Sequence, residues 1–247
     1  MTGLPQVFTP RFERVSEMNR LCVVALSLIL FTHVPSFAQS KPLKMIEGWG
    51  SVIDKKNDSK LKPSAGRLTM TVGSPRNLNK VISDLSAPRV LQEVEGDFTI
   101  QVKVSGDFKP SPASAVAPRG KAYNGAGLLL WFDEDLFLRL ERNIWVDAPG
   151  IESCHPPLFE VMVKGAPTGT SPPPAPATFF NNPATWLRLS RKGDSVTGSV
   201  SHNGTEWTTG SSVSMPLPKK VSVGVAAVNT SKKSFKVSFE ELQLTKE

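Results

Sequence analysis

The sequence predicts an all-β fold in which two antiparallel sheets pack face to face as a sandwich. After residue 38, several stretches alternate apolar and polar residues with a period of two, which places one set in a core and the other on an outer face. No long stretch after that residue shows the periodicity of an amphipathic helix. Short alternating strands separated by frequent turn signals are typical of antiparallel sandwiches.

The alternation is clearest in four stretches, and we expect their apolar residues to face the core. These residues are Phe98, Ile100, Val102 and Val104, then Leu136, Leu138 and Leu140, then Leu187 and Leu189, and finally Phe235, Val237 and Phe239. The residues between them are expected to face outward. The stretch 221–228 is almost entirely small and β-branched, which predicts a strand that is buried on both faces or closely packed by a neighbour.

Turn signals connect these stretches. Asp133–Asp135 is predicted to turn the stretch 127–132 back into 136–141, and Lys192-Gly193-Asp194 to join 186–191 to 195–202. Asn203-Gly204 predicts a tight hairpin between 195–202 and 205–208, because this dipeptide suits two-residue hairpin turns.

Two segments are rich in proline, and both are predicted to be long loops. They span 109–120 and 165–178, and proline cannot donate the backbone hydrogen bond that a central strand requires. The pieces between them are too short to have cores of their own. Residues 39–247 are therefore predicted to form a single domain.

The segment 1–38 has the pattern of a cleavable signal peptide. Arg20 precedes the apolar run Leu21–Phe31, and Ser36-Phe37-Ala38 supplies small residues for cleavage. The run is much shorter than the about 20 residues of a membrane-spanning helix, so we expect no transmembrane anchor after cleavage. Met18 is a plausible true start. The sequence thus predicts an exported protein, periplasmic or extracellular.

Composition narrows the choice of partners. The formal net charge of +7 comes from scattered Lys and Arg residues without a long basic run. A nucleic-acid role is therefore not favoured, whereas an anionic surface or polysaccharide stays open as a partner. No phosphate-binding or nucleophile motif is present, so no cofactor is expected. The sequence does not indicate an oligomeric state.

Several motifs resemble a known family of exported domains. They are Ser86–Phe98, Tyr123–Phe132, Phe137–Arg142, Trp186–Asp194 and Val223–Asn229, and the resemblance covers most of 46–245. They are similar to the concanavalin A-like sandwich domains of unknown function that include the fungal regulation-of-enolase proteins, and above all to exported bacterial members from planctomycete-like organisms. The resemblance implies a two-sheet, concanavalin A-like jelly roll, and relatives by fold are lectins, glycosidases and carbohydrate-binding modules. Fold alone does not give function.

The residues expected on the outer faces suggest a carbohydrate-binding module. Aromatic rings stack on sugar rings, while arginines, carboxylates and amides bind hydroxyls. The candidate ligand-binding residues are Trp131, Arg139, Glu141, Trp145, Arg188 and Asn229, with Tyr123 and His155 on neighbouring loops. The alternative interpretation is that Trp131 and Trp186 fill the core and that Arg139 and Glu141 form a structural ion pair.

Two other functions remain open, and metal binding is not expected. A glycoside hydrolase or lyase on the same scaffold needs two suitably spaced carboxylates, but Asp133–Asp135 looks like a solvated turn, so a non-catalytic module is favoured. A protein-interaction or structural domain would use the proline-rich stretch 171–176. Asp54, Asn57 and Asp58 are suited to calcium by residue type, but an ordinary polar loop is the favoured interpretation.

Overall fold

The computed structural model describes residues 43–116, 121–148, 151–154, 158–163, 166–170 and 182–247. A short 3-10 turn, Lys80–Ile82, is the helical element among them. The strands are β1 Met45–Ile46, β2 Gly50–Ile53, β3 Lys60–Ser64, β4 Arg67–Val72, β5 Arg89–Glu95, β6 Phe98–Gly106, β7 Tyr123–Trp131, β8 Leu136–Ala148, β9 Ile151–Cys154, β10 Leu158–Val163, β11 Ala166–Thr170, β12 Ala184–Lys192, β13 Ser195–Ser201, β14 Trp207–Ser214, β15 Lys220–Asn229 and β16 Phe235–Lys246.

The strands form two antiparallel sheets. Sheet A has the order β1-β2-β5-β15-β7-β8-β10-β11, with β9 also paired to β8. Sheet B has the order β14-β13-β12-β6-β16-β4-β3. The predicted all-β, two-sheet antiparallel sandwich is therefore confirmed.

The main core lies between the two sheets and is built by the predicted alternation. Leu138 and Leu140 of β8 face Leu187 and Leu189 of β12 within one cluster of buried side chains. The apolar residues of β6 and the residues Phe235, Val237 and Phe239 of β16 are also buried in it. The stretch 221–228 lies in β15, at the centre of sheet A between β5 and β7, and its burial is confirmed.

A second, smaller core covers part of the outer face of sheet A. The segment between β4 and β5 crosses this face and packs Leu78, Leu85 and Ala87 against Leu129 and Phe137. Because this segment shields the sheet from water, the residues of β7 and β8 beneath it are apolar on both faces. This part of sheet A is consequently a buried layer.

Two of the predicted turns are confirmed and one is wrong in its length. Asp133 closes the β7–β8 turn by accepting the backbone N–H groups of Asp135 and Leu136, both at 2.7 Å. Gly193, with a φ of 56°, closes the β12–β13 turn. The β13–β14 loop, however, is longer than a two-residue turn, because Asn203 Oδ1 accepts the N–H groups of Thr205 and Glu206 at 3.0 and 2.9 Å. This local bonding delays β14 until Trp207, which pairs with Ser201.

The proline-rich segments differ from each other. Residues 109–116 form no strand, as predicted, whereas 117–120 lie outside the described residues. The loop prediction is wrong for 166–170, which form β11 at the edge of sheet A, paired to β10. An edge strand tolerates Pro167 because one side of its backbone has no neighbouring strand to receive a hydrogen bond.

Segments 1–38 and 171–178 of the predictions lie outside the described residues, and so does residue 165. None of the described residues belongs to a helix that is long and apolar enough to cross a membrane.

Candidate functional site

The six residues predicted to bind a ligand do not share one surface. Trp131, Arg139, Glu141 and Trp145 lie on the outer face of sheet A, on β7 and β8. Arg188 lies on β12, on the outer face of sheet B. Asn229 is fully buried at the end of β15. The sandwich therefore separates Arg188 from the four residues on sheet A by its full thickness, while Asn229 is enclosed between the sheets. A single site made of all six is excluded.

The outer face of sheet A carries a largely buried polar cluster of Tyr123, Arg139, Glu141 and Glu160. The Arg139 Nε and Nη2 atoms both lie 2.6 Å from Glu160 Oε2, and Nη1 lies 3.4 Å from Glu141 Oε2. The Tyr123 hydroxyl donates to the same Glu141 oxygen at 2.5 Å. Register explains the assembly, since Glu160 of β10 pairs directly with Arg139 of β8.

Burial decides what this cluster can do. Glu141 is 1% exposed and Arg139 is 9% exposed, so the expectation that these two side chains face solvent is wrong. They form the structural ion pair of the alternative interpretation. Breaking such a pair by removing one member is strongly destabilising, because a buried charge is left without its partner.

The electrostatics of the polar cluster follow from the same burial. Burial raises the pKa of Glu141, and the nearby Arg139 guanidinium opposes this shift. For Arg139, burial alone would lower the pKa, but the carboxylates of Glu141 and Glu160 outweigh it and raise the pKa above its ordinary value. Burial and the neighbouring Glu141 raise the pKa of Tyr123 well above its usual value. Arg139 therefore stays charged and holds the two carboxylates together.

Trp145 lies beside the cluster and is only half-buried. Its ring stacks on the Tyr123 ring with centroids 6.5 Å apart and planes 24° apart, and Lys121 Nζ lies 5.1 Å from its centroid. Glycine at 125 permits this arrangement, because a Cβ there would collide with the Tyr123 ring at 2.4 Å. His155, predicted to lie nearby, is outside the described residues.

Trp131 belongs to the smaller core on sheet A. Its ring stacks on Phe137 at 5.1 Å, and the Arg89 guanidinium lies 4.3 Å above its centroid. Arg89 is itself buried and donates to the carbonyl oxygens of Leu85 and Ala87 at 3.2 and 3.3 Å. Burial lowers the pKa of Arg89 to about 10, although the Glu134 carboxylate opposes the shift. Trp131 thus anchors the covering segment rather than presenting an open ring.

Asn229 is a structural residue that joins the two sheets. Its Nδ2 donates to the carbonyl oxygens of Val72, Gly73 and Lys233 at 3.3, 2.9 and 2.8 Å. Its Oδ1 accepts from Asn124 Nδ2 at 2.9 Å and from the Ser231 N–H at 3.1 Å. The prediction that Asn229 faces outward is wrong, because the alternation of β15 places it on the same face as Val225 and Ala227, which pack between the sheets.

The outer face of sheet B carries a different kind of surface, an open groove of about 360 Å³. We call it the sheet B groove. Its described lining residues are Arg188, Ser190, Lys192, Ser195, Thr197, Ser199, Trp207 and Thr209. The serine and threonine hydroxyls bond to neighbours across the strands, as between Ser199 and Thr209 at 3.2 Å. Each hydroxyl has one donor and two acceptor sites, so these bonds leave capacity for a ligand.

Arg188 and Trp207 lie together at one end of the sheet B groove, while Lys192 and Ser195 line the other end. The guanidinium carbon of Arg188 lies 3.6 Å from the centroid of Trp207. Arg188 Nε and Nη2 both donate to Gln101 Oε1, at 3.1 and 2.7 Å. Trp207 and Arg188 are half-buried, so the two planar groups are held in place while part of their surface remains open to solvent.

Most of the candidate acidic and metal-binding oxygens bond to partners within the protein, although Asp54 Oδ1 is buried without one. Asp58 pairs with Arg76, and Asp54 Oδ2 accepts the Ser59 N–H at 2.9 Å. Glu134 of the β7–β8 turn bonds to Lys55 at 2.7 Å, and this contact lowers the pKa of Glu134. Within the described ranges, no group of three or more His, Cys, Asp or Glu residues is arranged to hold a metal ion.

Three functional candidates were missed by reasoning from the sequence. Glu160 lies opposite Arg139 only because β10 pairs with β8, and Gln101 lies opposite Arg188 only because β6 pairs with β12. Trp207 comes directly after the Asn203 loop, and an aromatic residue that starts a strand after a turn is the one signal that could have indicated it.

Comparisons with known proteins agree with this architecture. A functionally unknown protein from Saccharomyces cerevisiae has a TM-score of 0.61 at 19% identity, with 81% of this chain and 97% of that chain covered. A GH43 protein from Bacillus licheniformis has a TM-score of 0.51 at 12% identity, with 79% of this chain but only 36% of that chain covered. A legume lectin-like domain from Entamoeba histolytica has a TM-score of 0.49 at 11% identity, covering 76% of this chain and 88% of that one. No curated protein sequence matches the chain.

At such low identities the likenesses to the yeast and Bacillus licheniformis proteins show the fold alone. The family comparison shows more than the fold, because the family's sequence model matches more than half of the chain. The match spans residues 76–247, from the segment that covers sheet A to the end of the chain. It bears out the sequence resemblance to a family of unknown function. The chain therefore belongs to the DUF1349 family, described as proteins of unknown function.

Proposed function

We propose that this protein is an exported, non-catalytic carbohydrate-binding module whose ligand lies in the sheet B groove. The observation that carries the proposal is the fixed pair of Arg188 and Trp207, 3.6 Å apart, beside a floor of serine and threonine hydroxyls. An aromatic ring, a planar cation and hydroxyls on one strand surface provide stacking, charge-assisted bonds and neutral hydrogen bonds together. These are the contacts that a saccharide offers.

The geometry favours sheet B over sheet A as the binding face. On sheet A, Glu141 and Arg139 are almost completely buried and already bonded to one another. On sheet B, Arg188 and Trp207 are half-buried and face an open groove. A ligand on sheet A would have to break a buried ion pair, whereas a ligand on sheet B would need only to displace water.

The same burial argues for binding rather than hydrolysis. A glycosidase needs an acid and a second carboxylate placed on either side of the scissile bond. Glu141 and Glu160 are instead joined by Arg139 on the protein side. An enzyme would release soluble sugars from polysaccharides and lose that activity on Glu141→Gln. We expect no sugar release from either form.

The test of the proposed site is a binding screen against neutral and acidic polysaccharides with a matched pair of variants. Trp207→Ala should weaken binding at least about tenfold, because it removes the stacking surface and releases Arg188. Thr71→Ala, on the outer face of sheet B but near its other edge, should bind like the parent protein. Unchanged affinity in Trp207→Ala would exclude the sheet B groove as the site.

Export and source remain part of this proposal. The apolar run before Ala38 supports a periplasmic or extracellular protein of bacterial origin, and the relation to regulation-of-enolase proteins rests on sequence resemblance alone. Mass spectrometry of the protein recovered outside the cytoplasm should show a chain that begins at Gln39. Recovery of the intact chain in the cytoplasm would contradict export.

A protein-interaction role is the remaining alternative from another class. Its sequence basis is the proline-rich stretch 171–176. Deleting residues 166–177 should leave polysaccharide binding unchanged if the sheet B groove is the site. Loss of polysaccharide binding in a folded deletion variant would count against the sheet B groove.

A further inference from the structure

Arg188 is a cation without a counter-charge among the residues that the structure describes. No carboxylate of the described residues lies within ion-pairing distance of its guanidinium. The acceptor of its hydrogen bonds is the neutral amide of Gln101. Burial lowers the pKa of Arg188, and no neighbouring carboxylate opposes that shift. Arg139 on the other sheet differs in this respect, since it contacts two carboxylates.

The hydrogen-bonding capacity of Arg188 is only partly used. A guanidinium has five N–H donors in a fixed plane, and Gln101 Oε1 receives bonds from Nε and Nη2. This leaves about three N–H groups, on Nη1 and Nη2 at the far end of the plane. Two parallel N–H groups there match the spacing of two oxygens on a carboxylate or sulfate.

The surroundings of Arg188 add positive charge. Lys192 follows it by four residues on the same face of β12, which places the two about 13 Å apart along the strand. Lys192 reaches Glu247 at 3.5 Å, but that pair is exposed, and exposed pairs contribute little. Among the described residues that line the sheet B groove, none is Asp or Glu.

From these three observations we infer that the sheet B groove selects an acidic polysaccharide, with Arg188 as the receptor for its carboxylate or sulfate groups. This inference rests on the proposed function and names the class of ligand for that same site. The anion supplies the counter-charge that the described residues around Arg188 do not provide. Trp207 holds the guanidinium plane in position, and the neighbouring hydroxyls bind the sugar rings between the charges.

Two pairs of polysaccharides that differ only in charge test the inference. Polygalacturonate is compared with its methyl-esterified form, and dextran sulfate with dextran, using the purified protein in isothermal titration or affinity gels. We expect at least about tenfold tighter binding to the charged member of one pair or of both, because charge-assisted bonds exceed neutral ones. The pair that shows the preference identifies carboxylate or sulfate as the anion. The preference should decrease with added salt.

Three variants separate a specific receptor from general positive charge. Arg188→Gln should reduce the preference for the charged member to less than about threefold. Arg188→Lys, which keeps the charge but loses the planar fork, should retain part of the preference. Lys62→Gln removes one charge from β3 on the same sheet, far from the sheet B groove, and should keep the full preference.

The outcomes distinguish the two proposals. Equal affinity for charged and uncharged members of both pairs would overturn the inference while leaving carbohydrate binding intact. The same holds if Arg188→Gln keeps the full preference, or if Lys62→Gln loses as much of it as Arg188→Gln. If none of the polysaccharides binds to the folded protein, the proposed function itself is wrong.

Discussion

Each outer face of this sandwich carries an arginine surrounded by polar side chains, but the two arginines have opposite kinds of partner. Arg139 on sheet A is 9% exposed and is bonded to two carboxylates. Arg188 on sheet B is half-buried and is held by a neutral amide and an aromatic ring. In the first arrangement the protein's own carboxylates neutralise the arginine, and the resulting ion pairs are part of the folded structure. The second leaves charge unmatched, which a ligand can neutralise.

The largest effect that would test this comparison is on stability. Arg139→Met should lower the free energy of unfolding by about 3–5 kcal/mol, because Glu141 and Glu160 would remain together without a cation. Arg188→Met should cost less than about 1 kcal/mol, since methionine keeps the apolar contact with Trp207. Urea denaturation of the two variants measures the difference. Similar losses in both would mean that the faces do not differ as described.

A pH series should sharpen the account of the polar cluster. Burial raises the pKa of Glu141 above 4.5 in the folded protein. At a pH between the pKa of the unfolded chain and that of the folded protein, the folded state therefore holds a proton that the unfolded chain has released. The free energy of unfolding should therefore fall as pH rises from about 4.5 through the folded pKa, by about 1.4 kcal/mol for each unit of the shift.

The control for this series is Glu141→Gln, which keeps the acceptor for Tyr123 but cannot titrate. Urea denaturation from about pH 4 to pH 7 should show that the parent protein loses stability relative to this variant with rising pH. Parallel curves for the two proteins would contradict a raised pKa at Glu141.

Two half-buried tryptophans, one on each sheet, give a comparison in binding. Trp207→Ala should weaken polysaccharide affinity at least about tenfold, equivalent to about 1.4 kcal/mol. Trp145→Ala, on sheet A beside Tyr123, should leave affinity within about a factor of two of the parent, because its face does not meet the ligand. Affinity gels with both folded variants measure this, and the reverse ranking would move the site to sheet A.

The smallest expected effect tests whether burial, rather than position on sheet A, determines how much an ion pair contributes to stability. Glu93 and Lys220 lie 2.8 Å apart at the surface of sheet A, 66% and 61% exposed. Glu93→Gln should change the free energy of unfolding by less than about 1 kcal/mol, because water screens exposed pairs. Thermal or urea denaturation checks this. A loss as large as that of Arg139→Met would show that position on sheet A, rather than burial, controls the cost.

The strands and the faces of most side chains could be predicted because alternation is a local property of the chain. The alternation of Leu138 and Leu140 with Arg139 and Glu141 is correct in the structure. The exposure of those faces could not be predicted, since it depends on which distant segment crosses them. Leu78 and Leu85 cover Trp131, and no local pattern around Trp131 indicates it.

The residues that bond to Arg139, Arg188 and Asn229 also could not be predicted from the sequence. Arg139 contacts Glu160 through the pairing of β8 with β10, and Arg188 contacts Gln101 through the pairing of β12 with β6. None of the turns predicted from the sequence joins either pair of strands. Asn229 was expected to face outward as a ligand-binding residue. Its burial depends on the carbonyl oxygens of Val72 and Gly73, which the other sheet supplies.

The position of Asn229 also has a consequence for how the chain folds. Its amide joins β15 of one sheet to the end of β4 of the other, across 157 residues of sequence. Contacts of such long range form late, because the entropy of closing a long loop must be overcome first. The five residues that bond to this one side chain are therefore brought together only when both sheets are in place. The sheets then gain and lose this connection in a single step, which favours cooperative rather than sheet-by-sheet unfolding.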